Sequence, residues 1–275
     1  ITPFPTSTII PPITPVPTPP PNVRSITGPI VITEPGYYLL QNDISGTDAL
    51  VAIDIRSSDV VVNGNGHTIS GNGLFNTYGV SAYYRDGSLS NVVVTNLEIE
   101  SFYYGCSFWN THGGRIDGVK VHDTAYGILL QSSTKNLVHA CEVTDNRQGG
   151  ILLLAASDGN TLLKNHADRQ NWGLYLSASE RNRVISNHVQ DNIISGVGLF
   201  SAGNSTIVNN YLNNLGLGKE VLPPIVFQGG VAANKGMVRA FSEELKTDVI
   251  VAPHNHIMGA IGAALLAHEH IEVTG

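Results

Sequence analysis

The sequence predicts an all-β protein, a right-handed single-stranded parallel β-helix, followed by a small C-terminal α/β fragment. Three observations carry that reading. Gly105, Gly127, Gly150, Gly173 and Gly196 recur at intervals of 22, 23, 23 and 23 residues. Each is followed by an apolar alternation: Cys106 and Phe108, Ile128 and Leu130, Ile151 and Leu153, Leu174 and Leu176, Val197 and Leu199. Period two marks a strand with one buried face, and a repeat of this length suits one solenoid coil of two or three short strands. Third, only 13% of residues are charged, against a usual ~25%, and the chain is rich in Gly, Asn, Ser and Thr. That composition favours many turns over a helical bundle.

The elements follow in order. Residues 1–24 form a Pro/Thr-rich segment: residues 1–21 hold nine of the fourteen prolines and no charged residue. Proline fixes φ and removes a donor, so this stretch is expected to be a disordered linker or stalk. Residues 25–215 are expected to be the β-helix. It opens across residues 29–44, with an early coil at Val60 to Ile69. In the later coils small residues follow each strand (Ser132 and Ser133, Ala155 and Ala156, Ala178 and Ser179, Ser201 and Ala202), which suits a tight corner. A second strand set places Val94 and Ile99, Ile116 and Val121, Val138 and Val143, Leu162 and Ala167, Val184 and Val189, then Thr206 and Tyr211, in successive coils. Between the members of each pair lies one turn slot: Leu97, Val119, Cys141, Asn165, Asn187 and Asn209. Equal phase predicts a stacked ladder ~4.8 Å apart, in which each amide donates along the stack and accepts from its neighbour. Residues 216–275 abandon the repeat. Ile225 to Gln228 and Asp248 to Val251 read as strands, and 235–246 and 258–267 as helices. Strand–helix–strand predicts parallel strands with a right-handed crossover.

Several function classes are disfavoured. A net charge of −7 without a basic patch argues against a nucleic-acid partner. No apolar run reaches the ~18–20 residues of a membrane span. The chain begins at Ile1 without a visible signal peptide, so it reads as a processed protein or a fragment. Cys106 and Cys141 fall in different inward slots and read as small core residues.

Candidate chemistry is sparse. Asp145, Asp168 and Asp191 each lie five residues before a repeat glycine, so they are expected to stack along one turn. As paired carboxylates they are the catalytic candidates, although a solvated turn explains the same residues. Tyr103, Tyr104, Trp109 and Trp172 are candidate sugar-stacking residues, because outward aromatics offer apolar ring faces to a glycan. His166 and His188 lie 22 apart, but two imidazoles do not define a metal site, so no metal is expected.

The order GYYLLQNDI, VVVNGNGHTISGNG and the later coils resembles the carbohydrate-binding and sugar-hydrolase β-helix superfamily, in particular its NosD-like group, over residues 25–214. Within 216–270, FQGGVAANKGMVRAF and VIVAPHNHIMGAIGAALLA resemble the C-terminal end of BadF/BcrA-type ATPases, the activators of 2-hydroxyacyl-CoA dehydratases, of the actin/hexokinase-like superfamily. That resemblance implies Gly229, Gly230, Val231 and Asn234 in an adenosine-side turn, with ATP as the ligand. The phosphate loop and iron–sulfur cysteines of such ATPases have no place in the β-helical part, so the fragment is expected to be vestigial. The functional expectation is an extracellular or cell-surface β-helix with a structural or carbohydrate-binding role and no complete active site. A polysaccharide lyase or hydrolase, and an ATPase activator component, are the alternatives.

Overall fold

The computed structural model describes residues 15–213, 225–227, 235–245 and 249–251. The chain divides into two units, residues 1–214 and 215–275.

The first unit is a parallel β-solenoid. Each full coil passes through three strands, and like strands of successive coils pair in parallel to build three sheets. Sheet 1 has nine strands, from Val23–Ile26 to Thr206–Val208. Sheet 2 has seven, from Thr68–Ser70 to Tyr211–Asn213. Sheet 3 has eight, from Ile30–Ile32 to Ser195–Phe200. The core is a set of aliphatic rows, one per sheet. Val94, Ile116, Val138, Leu162 and Val184 of sheet 1 face Ile99, Val121, Val143, Ala167 and Val189 of sheet 2, and all are fully buried. Ile53, Val80, Cys106, Ile128, Ile151 and Leu174 close the triangle from sheet 3. Burying each Val, Leu or Ile of these rows contributes about 1.5–3 kcal/mol.

The repeat glycines are required by close approach. A Cβ on Gly105 would lie 2.6 Å from the Gly127 carbonyl oxygen, and one on Gly127 would lie 2.7 Å from that of Gly150. Both would also strike the inward valine of the next coil, Val121 and Val143 respectively.

The stacked turn slot exists as expected, with one correction. The Cys141 N–H donates to Asn165 Oδ1 (3.0 Å), the Asn165 N–H to Asn187 Oδ1 (2.9 Å), and the Asn187 N–H to Asn210 Oδ1 (2.8 Å). The row therefore ends in Asn210, while Asn209 takes the left-handed turn position (φ 53°). The last coil is one residue longer here, so the inward pair is Ile207 and Leu212 in place of Thr206 and Tyr211. Leu199 departs from the expected pattern too. It belongs to the last strand of sheet 3 and is 40% exposed.

Three further polar rows brace the corners. Ser133, Ser157 and Ser179 each accept from the backbone N–H of the preceding coil, as do Asn136, Asn160 and Asn182. Asn146, Gln170 and Asn192 form the third row, at the corner between sheets 2 and 3. These groups are buried, so each hydrogen bond removes a desolvation penalty of about 1–3 kcal/mol that an orphaned group would carry.

In the second unit, strands Ile225–Phe227 and Val249–Val251 pair in parallel, with the helix Lys235–Leu245 between them in sequence. This is the strand–helix–strand order expected of an α/β unit. The expected helix over 258–267 and the proposed nucleotide-turn residues Gly229, Gly230, Val231 and Asn234 lie outside the described residues.

Candidate functional site

The outward face of sheet 3 concentrates the aromatic side chains. The residue before each repeat glycine points outward, and the pairing aligns Tyr78, Tyr104, Tyr126, Gly149, Trp172 and Ser195 in one row. Tyr78 and Tyr104 stack with ring centroids 4.8 Å apart, and Tyr104 and Tyr126 at 5.4 Å. Gly149 interrupts the row. Above it the space between Tyr126 and Trp172 opens as a cleft of about 330 Å³, floored by Leu152 and bordered by Gln131, Gln148 and Tyr175. Among the described residues, no charged side chain lines this cleft. Trp172 and Tyr175 lean over Gly198, a residue whose missing side chain leaves room for both rings.

A wider cavity of about 650 Å³ continues along the same face, lined by Tyr78, Tyr83, Tyr84, Trp109, Arg85 and Asp86. Its remaining charges are already paired: Arg56 Nε donates to Asp54 Oδ2 at 2.8 Å. Five strand-to-strand steps separate its far edge at Val51 from Trp172. At ~4.8 Å per strand the aromatic face runs roughly 24 Å. Burial, reinforced by the neighbouring tyrosines, pushes the Tyr104 phenol up to about 12, so it is a neutral hydrogen-bond donor at any physiological pH.

Of the aromatic residues singled out from the sequence, Tyr104 and Trp172 line the cleft and Trp109 lines the wider cavity. Tyr103 packs edge-on against Tyr104 and Tyr126 from the adjoining corner. Tyr78, Tyr126, Tyr175 and the Gly149 gap were missed. The signal was present, because the position before each repeat glycine reads Tyr, Tyr, Tyr, Gly, Trp, Ser.

The three aspartates do not form the expected row. The pairing aligns Asp168 with Thr144, one position short of the turn that holds Asp145 and Asp191. Counting back from the glycines failed because the corner between sheets 2 and 3 is one residue longer in alternate coils. Arg169 takes the turn slot between the two acids (φ 58°) and binds both Asp145 oxygens at 2.7 Å. That hydrogen-bonded pair holds the Asp145 carboxyl below the usual carboxylate range. Asp168 is shifted the other way: burial raises it, against the opposing pull of the Gln190 N–H and of His188 and His166.

Asp168 instead joins the two histidines. His166 and His188 are directly paired on adjacent strands of sheet 2, their rings stacked at 5.0 Å. One ligand atom from each of His166, Asp168 and His188 lies within 4.8 Å of the others. A second cluster, Glu100, His122 and Asp123, has similar composition. There, both imidazole nitrogens are engaged by carboxylates, Nδ1 with Asp123 at 2.8 Å and Nε2 with Glu98 at 3.0 Å. Burial lowers the His122 pKa, but these hydrogen bonds and the charges of Asp123 and Glu100 outweigh it, so the net shift is upward. Cys106 and Cys141 are free and buried, as expected, and burial raises both thiols, Cys141 to about 12.

A parallel β-solenoid with a long aromatic face is the class of protein that these features define. The family model for the periplasmic copper-binding protein (NosD) matches residues 35–217, about two-thirds of the chain, and the chain belongs to that family. A second model, of the BadF/BadG/BcrA/BcrD ATPase family, matches residues 186–267. The activator of lactoyl-CoA dehydratase from Anaerotignum propionicum is 48% identical over 80 residues, or 29% of this chain and 28% of that protein. The 2-hydroxyisocaproyl-CoA dehydratase activator from Clostridioides difficile is 47% identical over 45 residues, 16% of this chain and 17% of that protein. The chain thus spans little more than a quarter of the first of these curated relatives and about a sixth of the second. Among solved structures, a periplasmic alginate epimerase superposes with a TM-score of 0.54 at 17% identity, over 66% of this chain and 49% of its own. The A-module of a mannuronan C-5 epimerase from Azotobacter vinelandii gives a TM-score of 0.34 at 13% identity, over 69% and 68%. The first of these likenesses is one of fold. The family description names copper. The donor set of His166, Asp168 and His188 is one that a divalent copper or zinc ion accepts, whereas the two thiols are sealed in the core.

Proposed function

We propose that this chain is an extracytoplasmic β-helix protein that binds an uncharged polysaccharide along the aromatic face of sheet 3. The observation that carries the reading is the slot at Gly149, where the floor is apolar, two aromatic walls face each other and the polar groups of the lining are uncharged amides, phenols and an indole N–H. Sugar rings present apolar C–H faces and hydroxyl rims, which such a slot matches. The lack of charge in the slot favours a neutral chain over a polyuronate such as the alginate on which the epimerase neighbour acts. The periplasmic family description supports the location, and no described helix is long and apolar enough to cross a membrane. The competing reading as a hydrolase or lyase is weakened because Asp145 is held by Arg169 and Asp168 is turned to the histidines. The dehydratase-activator reading rests on sequence likeness over a short segment alone.

The test is affinity electrophoresis and calorimetry with neutral glucans, mannans and galactans, beside alginate. Trp172→Ala is expected to weaken binding of the preferred neutral polysaccharide about tenfold or more, or about 1.4 kcal/mol. Gly149→Tyr is expected to abolish it by filling the slot with an unbroken tyrosine row. The three atoms nearest its Cβ all belong to the Leu152 side chain and none to backbone, so the fold is expected to survive, which far-ultraviolet circular dichroism checks. Retention by none of the neutral polysaccharides, or undiminished binding in Gly149→Tyr, overturns the proposal.

A further inference from the structure

We propose that His166, His188 and Asp168 on the outer face of sheet 2 form a binding site for a divalent transition-metal ion. The site is separate from the aromatic face and does not depend on its function.

Four observations converge. First, the in-register pairing of His166 and His188 fixes two imidazoles on adjacent strands, and Asp168 lies two residues beyond His166 on the same side of its strand, with Ala167 turned inward. The three donors therefore come from rigid strands and not from a loop. Second, the Asp168 side chain is nearly buried, at 5% exposure, and among the described residues no basic side chain lies within ion-pair distance of it. The neighbouring guanidinium of Arg169 is committed to Asp145. Oδ1 of Asp168 accepts the Gln190 N–H at 2.9 Å, which orients the carboxylate and leaves Oδ2 available. A carboxylate oriented by a backbone N–H is the second-shell arrangement that metal ligands use. Third, the imidazoles are stacked, the His188 ring being sandwiched between His166 and Tyr211, whose centroid lies 4.5 Å away. Stacking fixes the ring planes without consuming the nitrogens. Fourth, the contrast with His122 is direct. Its two nitrogens are both taken by carboxylates, which suits an imidazolium and disfavours a metal.

The donor set is two imidazole nitrogens and one carboxylate oxygen. That combination suits zinc, copper(II) or nickel and not calcium or magnesium, which prefer all-oxygen shells. Donors of a tetrahedral ion with bonds of ~2.0–2.1 Å sit about 3.3 Å apart. The present spread reaches 4.8 Å, so the rings close inward on binding. His166, the exposed member, is the one with room to turn.

The experiment uses the full chain and the metals alone. Calorimetry with zinc, nickel and copper(II) chlorides at neutral pH is expected to show a site of one ion per chain, with copper(II) bound more tightly than either nickel or zinc. The electron paramagnetic resonance spectrum of the copper-loaded protein is expected to show hyperfine structure from two imidazole nitrogens. His166→Ala is expected to reduce this to one nitrogen and weaken binding at least tenfold. Asp168→Asn keeps the bond from Gln190 and is expected to weaken binding while leaving the two-nitrogen pattern. All three side chains lie on an outer face, and far-ultraviolet circular dichroism checks that the variants remain folded. A double variant His166→Ala/His188→Ala that still binds one ion with unchanged affinity, or a wild-type chain that binds none of the three metals more tightly than millimolar, overturns the assignment.

Discussion

Replacing Asn165 with alanine probes the ladder at its centre. The side chain is fully buried. It accepts from the Cys141 N–H (3.0 Å) and donates through Nδ2 to the Val138 carbonyl (3.0 Å) and to Asn187 Oδ1 (2.9 Å). Each such bond is worth about 1 kcal/mol net, and stranding a buried backbone N–H costs a further 1–3 kcal/mol. The expected loss is about 4–6 kcal/mol. At roughly 2–4 °C per kcal/mol for a unit of this size, the melting midpoint falls by about 10 °C or more. Thermal melts by far-ultraviolet circular dichroism measure the shift, and hydrogen exchange at the Cys141 amide locates it. Asn209→Ala is the control. Asn209 holds a left-handed turn, a position that Ala140 fills in another coil, so its loss costs about 1 kcal/mol or less. A shift of under 2 °C for Asn165→Ala, or equal shifts for the two variants, refutes the account of the ladder.

Other outcomes follow from the same geometry. Cys141→Asn extends the amide row by one coil, since Cys141 Sγ already points at the Ile116 carbonyl (3.6 Å), and is expected to be neutral or stabilising in a urea melt. Gly127→Ala drives a Cβ against the Gly150 carbonyl and is expected to destabilise by about 1–3 kcal/mol, whereas Gly149→Ala is tolerated. The folded-state pKa of His122 is raised, so its contribution is fully present below the unfolded value of 6.5 and is lost as pH rises through the folded one. Asp145 is lowered, so its contribution is present above 3.8 and is lost as pH falls through its folded value. Stability profiles of His122→Gln and Asp145→Asn are expected to flatten in those respective windows. Thiol titration is expected to find Cys106 and Cys141 unreactive in the native protein and reactive only after unfolding.

The solenoid was legible because its core is periodic: the glycines and inward aliphatics write the coil length directly into the sequence. Local slips were not. A parallel ladder is read correctly only if every corner has the same length, and the corners after Thr144 and after Gln190 each carry one more residue than the corner after Asp168. Those additions moved Asp168 out of the supposed carboxylate row and placed Arg169 beside Asp145. The aromatic face was half visible. Tyr104 and Trp172 stood out by residue type, but the functional point at Gly149 is a missing side chain, which acquires meaning only when its neighbours in space are known.

The unequal corners bear on how such a chain can change over time. Insertions and deletions are absorbed where the path bends, and the strands on either side keep their alignment. A residue gained beside Gln148 lengthens the lip of the slot without disturbing the rows of valine and asparagine beneath it. One residue gained inside a strand would turn every following side chain to the opposite face. The scaffold is thus permissive at its edges and unforgiving along its flats, so variation in ligand preference is expected to accumulate at the bend between the second and third sheets.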